Sequence, residues 1–206
     1  MTGEKTSRKN VAVLISGRGS NMECLIRASR AETYPARIVG VIASTPAAAG
    51  LERAHREGVP TAINRLAEFT DRPAADAAMT RQLHAWKTDI VCLAGFMRIL
   101  SADFVDHWHG RLINIHPSLL PRFKGLDTHR RALHAGDAEH GCTVHFVEPE
   151  LDAGPPILQQ SLPVLPHDTP QTLAARVLEI EHRLYPEALA MLARGEIALP
   201  PSPGNR

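Results

Sequence analysis

The segment Arg111-Leu112-Ile113-Asn114-Ile115-His116-Pro117-Ser118-Leu119-Leu120-Pro121 predicts a buried strand whose last residues are polar. Asn114 and His116 share one face of this strand, because side chains alternate with a period of two. Pro117 lacks the N–H that a ladder needs, so the strand ends directly after the histidine. Open α/β sheets build their sites at the carboxyl ends of strands. The pattern therefore favours a functional Asn-x-His pair over a structural histidine at a strand end.

Apolar runs alternate with helical patterns along most of the chain. The runs at 11–15, 37–42 and 89–94 predict buried strands, each followed by a helix. This alternation indicates the α/β class, a Rossmann-like three-layer sandwich with a mostly parallel central sheet. In the C-terminal half, 141–147 and 157–164 predict two strands joined by a turn-rich loop. We expect them to form an antiparallel addition to the sheet.

The chain length of 206 residues allows one substantial core and is too short for two ordinary domains with linkers. We expect a single domain over residues 10–199. It divides into an N-terminal half of about 10–108 and a C-terminal half of about 109–199. The polar segment 1–9 and the Pro-rich segment 200–206 are predicted to be disordered tails.

Composition narrows the class of partner. The formal net charge is +1 and aromatic residues make up 4%, so nothing supports binding to nucleic acid or to a membrane surface. The three cysteines are far apart, and the scattered histidines include no H-E-x-x-H, so we expect no metal site. There is neither a signal peptide nor a run of membrane-spanning length. These features predict a cytoplasmic protein that acts on small molecules.

Ser16-Gly17-Arg18-Gly19-Ser20-Asn21 lies between a predicted strand and a predicted helix. Glycines let the backbone come close to an anion, and the free N–H groups of the first helical turn point at it. Met22 stands where a dinucleotide fingerprint needs its third glycine, and there is no G-K-[ST]. A dinucleotide site also needs an acidic residue after the next strand to bind the ribose, but the residues there are Ala43-Ser44-Thr45. A phosphate monoester fits this loop better than NAD or ATP, although a plain strand–helix turn also fits so short a motif.

Two further features carry candidate site residues. Gly95-Phe96-Met97-Arg98-Ile99-Leu100 is an apolar loop after a predicted strand, which suggests that it lines a pocket. In the last helix, Glu181 falls among the apolar residues Val177, Leu184 and Ala188. A glutamate in that position is either buried and paired or solvated at the edge of the stripe, and the pattern is compatible with both.

Several motifs together resemble those of the folate-dependent formyltransferases. They are Asn114-Ile-His116-Pro-Ser-Leu-Leu-Pro121 and Glu150-Leu-Asp152-x-Gly154-Pro155. Ser16–Asn21 and Ala94–Leu100 narrow the resemblance to the branch that formylates glycinamide ribonucleotide, and it covers roughly residues 10 to 196. The Asn-x-His motif alone is shared with formyltetrahydrofolate hydrolase (deformylase) and with the formyltransferase that acts on methionyl-tRNA. Both of those carry an extra domain that we expect not to fit in 206 residues, which disfavours them. A deformylase or another folate-dependent formyltransferase is nevertheless the alternative.

The resemblance implies an enzyme of de novo purine (IMP) biosynthesis. It would transfer the formyl group of 10-formyltetrahydrofolate to the amine of glycinamide ribonucleotide. The folate is then a co-substrate, with no bound cofactor and no metal. The implied partners are small molecules only, and the implied state is a monomer or a weak homodimer.

The same resemblance assigns roles to individual residues. Asn114 and His116 would stabilise the oxyanion of a tetrahedral intermediate, and Asp152 would transfer protons. The chain departs from the common pattern at Arg18, where Asn or Thr is frequent, and at Ala153, where Gly is frequent and a positive φ would be mildly strained. The implied binding residues are Gly19, Ser20, Asn21 and Glu181 for the ribonucleotide, and Arg72, Met97, Arg98, Ile99, Leu100 and Asn114 for the folate.

Two other classes deserve comparison. A Rossmann-type oxidoreductase is disfavoured, because the third glycine and the acidic ribose partner are both missing. A non-catalytic nucleotide-binding module would leave Asn114, His116 and Asp152 unexplained as a set. An enzyme of the formyltransferase type accounts for all of these residues.

Overall fold

The computed structural model describes residues 8–199, so the predicted tails at 1–9 and 200–206 lie outside the described residues except for positions 8 and 9. Seven strands and six α-helices follow one another, with one short 3₁₀ turn at Leu66–Glu68. In chain order they are β1 (Lys9–Ile15), α1 (Ser20–Ala28), β2 (Ala36–Ala43), α2 (Gly50–Arg56), β3 (Thr61–Ile63), α3 (Arg72–Ala85), β4 (Ile90–Leu93), α4 (Ala102–His107), β5 (Leu112–His116), α5 (Thr128–Ala135), β6 (Glu139–Phe146), β7 (Pro156–Pro163) and α6 (Pro170–Arg194).

All seven strands form one sheet in the order β3-β2-β1-β4-β5-β6-β7. The pairings from β3 through β5 are parallel, while β6 is antiparallel to β5 and β7 is antiparallel to β6. The predicted fold class is therefore confirmed, including the antiparallel addition. The chain winds outward in one direction from β1 to β3 and in the other from β4, which creates a crevice at the carboxyl ends of β1 and β4.

Strand β1 shows why the sheet is covered on both faces. Val11, Val13 and Ile15 pack in one apolar cluster with α1 and α6, whereas Ala12 and Leu14 pack in a second cluster with α3 and α4. Successive side chains point to opposite faces, so a strand between two helical layers must be apolar throughout. This arrangement gives the three layers that the sequence predicts.

Several helix starts follow their capping residues. Asp71 caps α3 by accepting a hydrogen bond from the Ala74 N–H at 2.8 Å, and Thr169 forms a capping box at the start of α6. The sequence between Pro46 and Gly58 predicts one helix over 46–57, but α2 begins only at Gly50. None of the helices between residues 8 and 199 combines the length and the apolar character needed to cross a bilayer.

Candidate active site

Three connected cavities lie at the carboxyl end of the sheet. The central cavity, of about 650 Å³, is lined by Asn114, His116 and Asp152. The loop cavity, of about 580 Å³, is lined by the Ser16–Asn21 turn. The deep cavity, of about 120 Å³, lies behind the loop that follows β4. The central cavity shares lining residues with both of the others, so the three residues predicted to be catalytic line the cavity that adjoins the other two.

His116 is held between two oxygen acceptors. Its Nδ1 lies 3.3 Å from Oδ2 of Asp152, and its Nε2 lies 3.0 Å from the carbonyl oxygen of Phe123. Both side chains of the pair are 8% exposed. The ring of His116 is therefore buried and held from both sides, by the Asp152 carboxyl and by the Phe123 carbonyl.

His145 completes this cluster, although no sequence motif assigned it a role. It lies opposite Asn114 on the neighbouring strand β6, and its Nε2 is 3.2 Å from the Asn114 amide nitrogen and 3.7 Å from Oδ1 of Asp152. Its Nδ1 donates to the Phe146 carbonyl at 2.7 Å, so Nε2 is free to accept from the Asn114 amide. Burial lowers the pKa of His145, which favours this neutral form. The available signal was a histidine between two apolar residues, Val144 and Phe146, at the carboxyl end of β6.

Asp152 has an unusual backbone conformation. The positive φ of 49° falls on Asp152 itself and not on Ala153, the position at which the family pattern suggested it. Aspartate enters this region several-fold more readily than most residues, so the local strain is small. The turn also lets the Gly125 N–H donate to Oδ2 of Asp152 at 2.8 Å. The carboxylate is thus fixed by a backbone hydrogen bond as well as by His116.

The predicted phosphate loop is built on close glycine contacts. Gly19 precedes α1 with φ 74°, and a Cβ there would lie 2.9 Å from the Cα of Gly50. Gly50, at the start of α2, donates its N–H to the carbonyl of Gly17 at 3.0 Å, a contact the sequence did not suggest. Within the described part of the chain, the N–H groups of Ser20 and Asn21 have no acceptor, so they point free into the loop cavity.

Asn21 connects the phosphate loop with α6. Its side-chain nitrogen donates to Oε2 of Glu181 at 2.6 Å, while its Oδ1 is buried and has no donor among the described residues. Glu181 is 7% exposed, so the buried alternative from the sequence pattern is the correct one. Burial raises the pKa of Glu181 to about 7, although the hydrogen bond from Asn21 opposes that shift.

The loop after β4 offers backbone groups to a ligand. The Met97 N–H is already used, because it donates to Oγ of Ser16 at 2.8 Å. Among residues 8–199, the N–H groups of Arg98, Ile99 and Leu100 have no acceptor. The exposed side chains of Met97, Ile99, Leu126 and Leu151 surround the central cavity. This loop therefore combines an apolar rim with free peptide groups.

Arg98 and Arg72 have different surroundings. Arg98 points inward, where its guanidinium donates to Asp76 at 2.7 Å and to the side chain of Asn64 at 2.6 Å. Asp76 also accepts the Ser101 N–H at 2.7 Å, so this buried network fixes both ends of the loop. Arg72 is exposed at the start of α3 and lines none of the three cavities. Of the predicted folate residues, Arg72 is thus the one that the structure does not bring to the cavities.

Over residues 8–199, no group of three or more His, Cys, Asp or Glu side chains is arranged to hold a metal ion. His129 and His140 approach each other to 3.1 Å beside the central cavity, but burial lowers the pKa of His129 to about 4. His129 is therefore a neutral side chain near pH 7 that lines the central and loop cavities.

Known proteins resemble the whole described domain. A formyl transferase family model matches residues 9–189. The trifunctional purine biosynthetic protein adenosine-3 of Drosophila melanogaster is 48% identical over 196 residues, which are 94% of this chain but only 14% of that protein. Phosphoribosylglycinamide formyltransferase of Escherichia coli K12 is 45% identical over 190 residues, covering 92% of this chain and 90% of the relative.

Structural similarity agrees with these matches. The crystal structure of phosphoribosylglycinamide formyltransferase from Brucella melitensis has 49% sequence identity and a TM-score of 0.88, covering 93% of this chain and 98% of that chain. The resemblance stated from the sequence motifs is thereby confirmed. The chain belongs to the formyl transferase family, in the group of the phosphoribosylglycinamide formyltransferases.

Proposed function

We propose that this enzyme transfers the formyl group of 10-formyltetrahydrofolate to the primary amine of glycinamide ribonucleotide, a step of de novo purine biosynthesis. The observation that carries the proposal is the position of Asn114, His116 and Asp152 at the junction of two cavities. One cavity ends at free N–H groups of a helix start, and the other ends at a loop with free peptide groups. Two substrates that enter from opposite sides would meet at these three residues.

The ribonucleotide fits the loop cavity. Its phosphate would lie against Gly19, Ser20 and Asn21, where unpartnered N–H groups and the helix dipole favour an anion. The buried Glu181 carboxyl and the donor-less Oδ1 of Asn21 would accept hydrogen bonds from the ribose or the amine. The glycinamide end would then extend toward Asn114.

The folate fits the deep and central cavities. Its pterin would pair with the free backbone groups of Arg98–Leu100, and its aromatic linker would pack on the exposed side chains of Met97 and Ile99. Arg72 would contact only the distal tail of the folate, because it lies outside the cavity walls. If Arg72→Ala leaves folate affinity unchanged, Arg72 has no such role.

The chemistry needs donors where negative charge develops on the formyl oxygen. Asn114 has one amide hydrogen held by His145, which leaves the second to point at the oxyanion. His116 lies on the same strand, two residues further along, close to the same point. Because both residues are pre-aligned by their partners, little reorganisation is needed as the tetrahedral intermediate forms.

Asp152 is suited to move the proton. The attacking amine becomes cationic and must lose a proton, while the folate nitrogen must gain one as the C–N bond breaks. The Asp152 carboxylate, linked by a water molecule, would take the proton from the amine and return it to the folate nitrogen. The two substrates react directly, so their alignment contributes much of the rate. No nucleophilic side chain and no metal ion are required.

An absorbance assay for loss of the formylfolate tests the proposal. We expect rapid loss only when glycinamide ribonucleotide is present, with formylated ribonucleotide as the product. Release of formate at a similar rate without the ribonucleotide would instead identify a hydrolase. NAD should neither bind nor react.

We also propose that the protein works in the cytoplasm as a monomer or a weak homodimer. The support is the similarity to the E. coli phosphoribosylglycinamide formyltransferase, which extends over 90% of that protein's length. Sedimentation equilibrium over a range of protein concentrations measures the association directly. A tight dimer at nanomolar concentration would contradict this part of the proposal.

A further inference from the structure

The loop cavity contains few charged side chains. Among its described lining residues, only Arg18, His129 and Glu181 can carry a full charge. His129 is neutral near pH 7, since burial lowers its pKa to about 4. Glu181 becomes an anion as the pH rises past about 7. Arg18 is therefore the cation that this cavity wall supplies at neutral pH.

A phosphate monoester needs more positive charge than the helix start provides. The ester carries about −1.5 to −2 charges at neutral pH, whereas the free N–H groups at a helix start are equivalent to roughly +0.5. When the neighbouring Glu181 carboxyl ionises, it adds a further negative charge near the phosphate. A full positive charge at the mouth of the loop would neutralise most of the remaining charge of the phosphate.

Arg18 is placed and free to supply that charge. It stands between Gly17 and Gly19, is exposed, and makes no hydrogen bond or ion pair with any residue in the described range. The nearby arginines Arg27 and Arg53 instead face Glu23. The Arg18 guanidinium can thus turn toward a ligand without breaking an existing contact.

We propose that Arg18 is a specificity-determining residue, which pairs with the phosphate of the acceptor and selects phosphorylated over unphosphorylated acceptors. This inference rests on the proposed function and deepens it. Its consequence is that much of the affinity for the acceptor depends on ionic strength, because an exposed ion pair is screened by salt. The arginine would stabilise the bound ground state and the transition state equally, so it should affect KM rather than kcat.

Steady-state kinetics of Arg18→Gln and Arg18→Lys test the proposal. We expect Arg18→Gln to raise the KM for glycinamide ribonucleotide about tenfold, the scale of a charge-assisted hydrogen bond. The kcat and the KM for the folate should change less than about twofold, and Arg18→Lys should recover most of the loss. Arg56→Gln is the matched control, because Arg56 is also exposed, lies on α2 and lines none of the three cavities.

Calorimetric binding of ribose 5-phosphate and of inorganic phosphate separates this inference from the proposed function. Arg18→Gln should weaken both ligands at low salt, and the difference from wild type should shrink at high salt. Equal affinities in wild type and Arg18→Gln, or equal KM increases for both substrates, would overturn the inference. A wild-type enzyme that binds ribose 5-phosphate through Arg18 but transfers no formyl group would overturn only the proposed function.

Discussion

At the scale of single residues, the pairing of His116 with Asp152 constrains the chemistry most. Both ring nitrogens of His116 face oxygen acceptors, and Asp152 also accepts the Gly125 N–H. Removing either side chain would leave buried polar atoms of the other without a partner. The two side chains should therefore act as one unit.

Asp152→Asn should lower kcat by roughly 10²–10⁴-fold with little change in either KM, because it removes the base and keeps the shape. His116→Ala should be nearly as damaging, and the double variant little worse than the worse single one. Single-turnover measurements with both substrates saturating check the forecast. Near-normal turnover of Asp152→Asn would rule out the proposed proton path.

Glu181 predicts a pH dependence of stability. Its pKa is about 7 in the folded protein and 4.5 ordinarily, so the folded state binds more protons between these pH values. The contribution of protonated Glu181 to the free energy of unfolding is therefore complete below about pH 4.5. It is lost as the pH rises through about 7. At about 1.4 kcal/mol per pKa unit, the loss is at most on the order of 3 kcal/mol.

Glu181→Gln should remove this slope, since its amide oxygen can still accept the Asn21 hydrogen bond. Urea unfolding of both proteins at pH 5 and pH 8 measures the difference. We expect the free energy of unfolding of the variant to increase relative to that of wild type as the pH rises. A constant difference between the two proteins would show that the carboxyl does not titrate in this range.

At the scale of secondary-structure elements, α6 ties together the strands that carry the site. Tyr185, one turn after Glu181, is fully buried, and its hydroxyl lies 3.0 Å from the Leu93 carbonyl and 3.1 Å from the Ile113 carbonyl. Leu93 ends β4 before the apolar loop, and Ile113 precedes Asn114 on β5. A single side chain thus holds the two strand ends in register with the helix.

Tyr185→Phe should lower the free energy of unfolding by about 1–3 kcal/mol, because buried carbonyls lose a donor. Denaturant unfolding gives the value directly. Phe69→Leu serves as a control substitution of an aromatic residue, since Phe69 is only partly buried and lies in a loop. An unchanged midpoint for Tyr185→Phe would mean that the hydroxyl contributes nothing net.

The turn between β1 and α1 gives a second test at this scale. Gly19 has φ 74° and its Cβ would meet the backbone of Gly50, whereas a Cβ on Gly17 would meet nothing within 4 Å. Gly19→Ala should therefore cost about 1–2 kcal/mol or more in strain, and it should raise the KM for the ribonucleotide. Gly17→Ala is the matched control and should keep the wild-type melting temperature. Equal melting temperatures for both variants would contradict the strained contact.

At the scale of the whole molecule, the proposed ligand sites join elements that are distant in sequence. The three cavities are walled by the ends of β1, β4 and β5, by α6, and by the loop that carries Asp152. A ligand bound there stabilises only the folded arrangement. Its effect on unfolding should therefore be global rather than local.

Glycinamide ribonucleotide and a folate analogue should each raise the melting temperature. The gain is about 2.7 kcal/mol in stability at a concentration of one hundred times Kd. Differential scanning fluorimetry with NAD as the negative control measures it. A shift with NAD comparable to that with the folate analogue would argue for a dinucleotide site and against the proposed one.

The sequence alone determined the features that depend on neighbouring residues. Pro117 ends β5 after His116, glycines precede α1, and Thr169-Pro170 opens α6, because stop and cap signals act over a few residues. Strand–helix alternation predicted the fold class for the same reason. The start of α2 is a boundary that the local sequence did not predict, because the helix begins at Gly50 and not at Pro46.

The tertiary structure decided the contacts that join distant residues. His145 reaches Asn114 across 31 positions, because β6 runs antiparallel beside β5 in a register that no local pattern specifies. Arg98 turns inward to Asp76, and Gly50 packs beneath Gly19. Such contacts depend on sheet order and on how layers pack. The sequence therefore identified the polar residues at strand ends. Only the tertiary structure determines which of these residues are in contact.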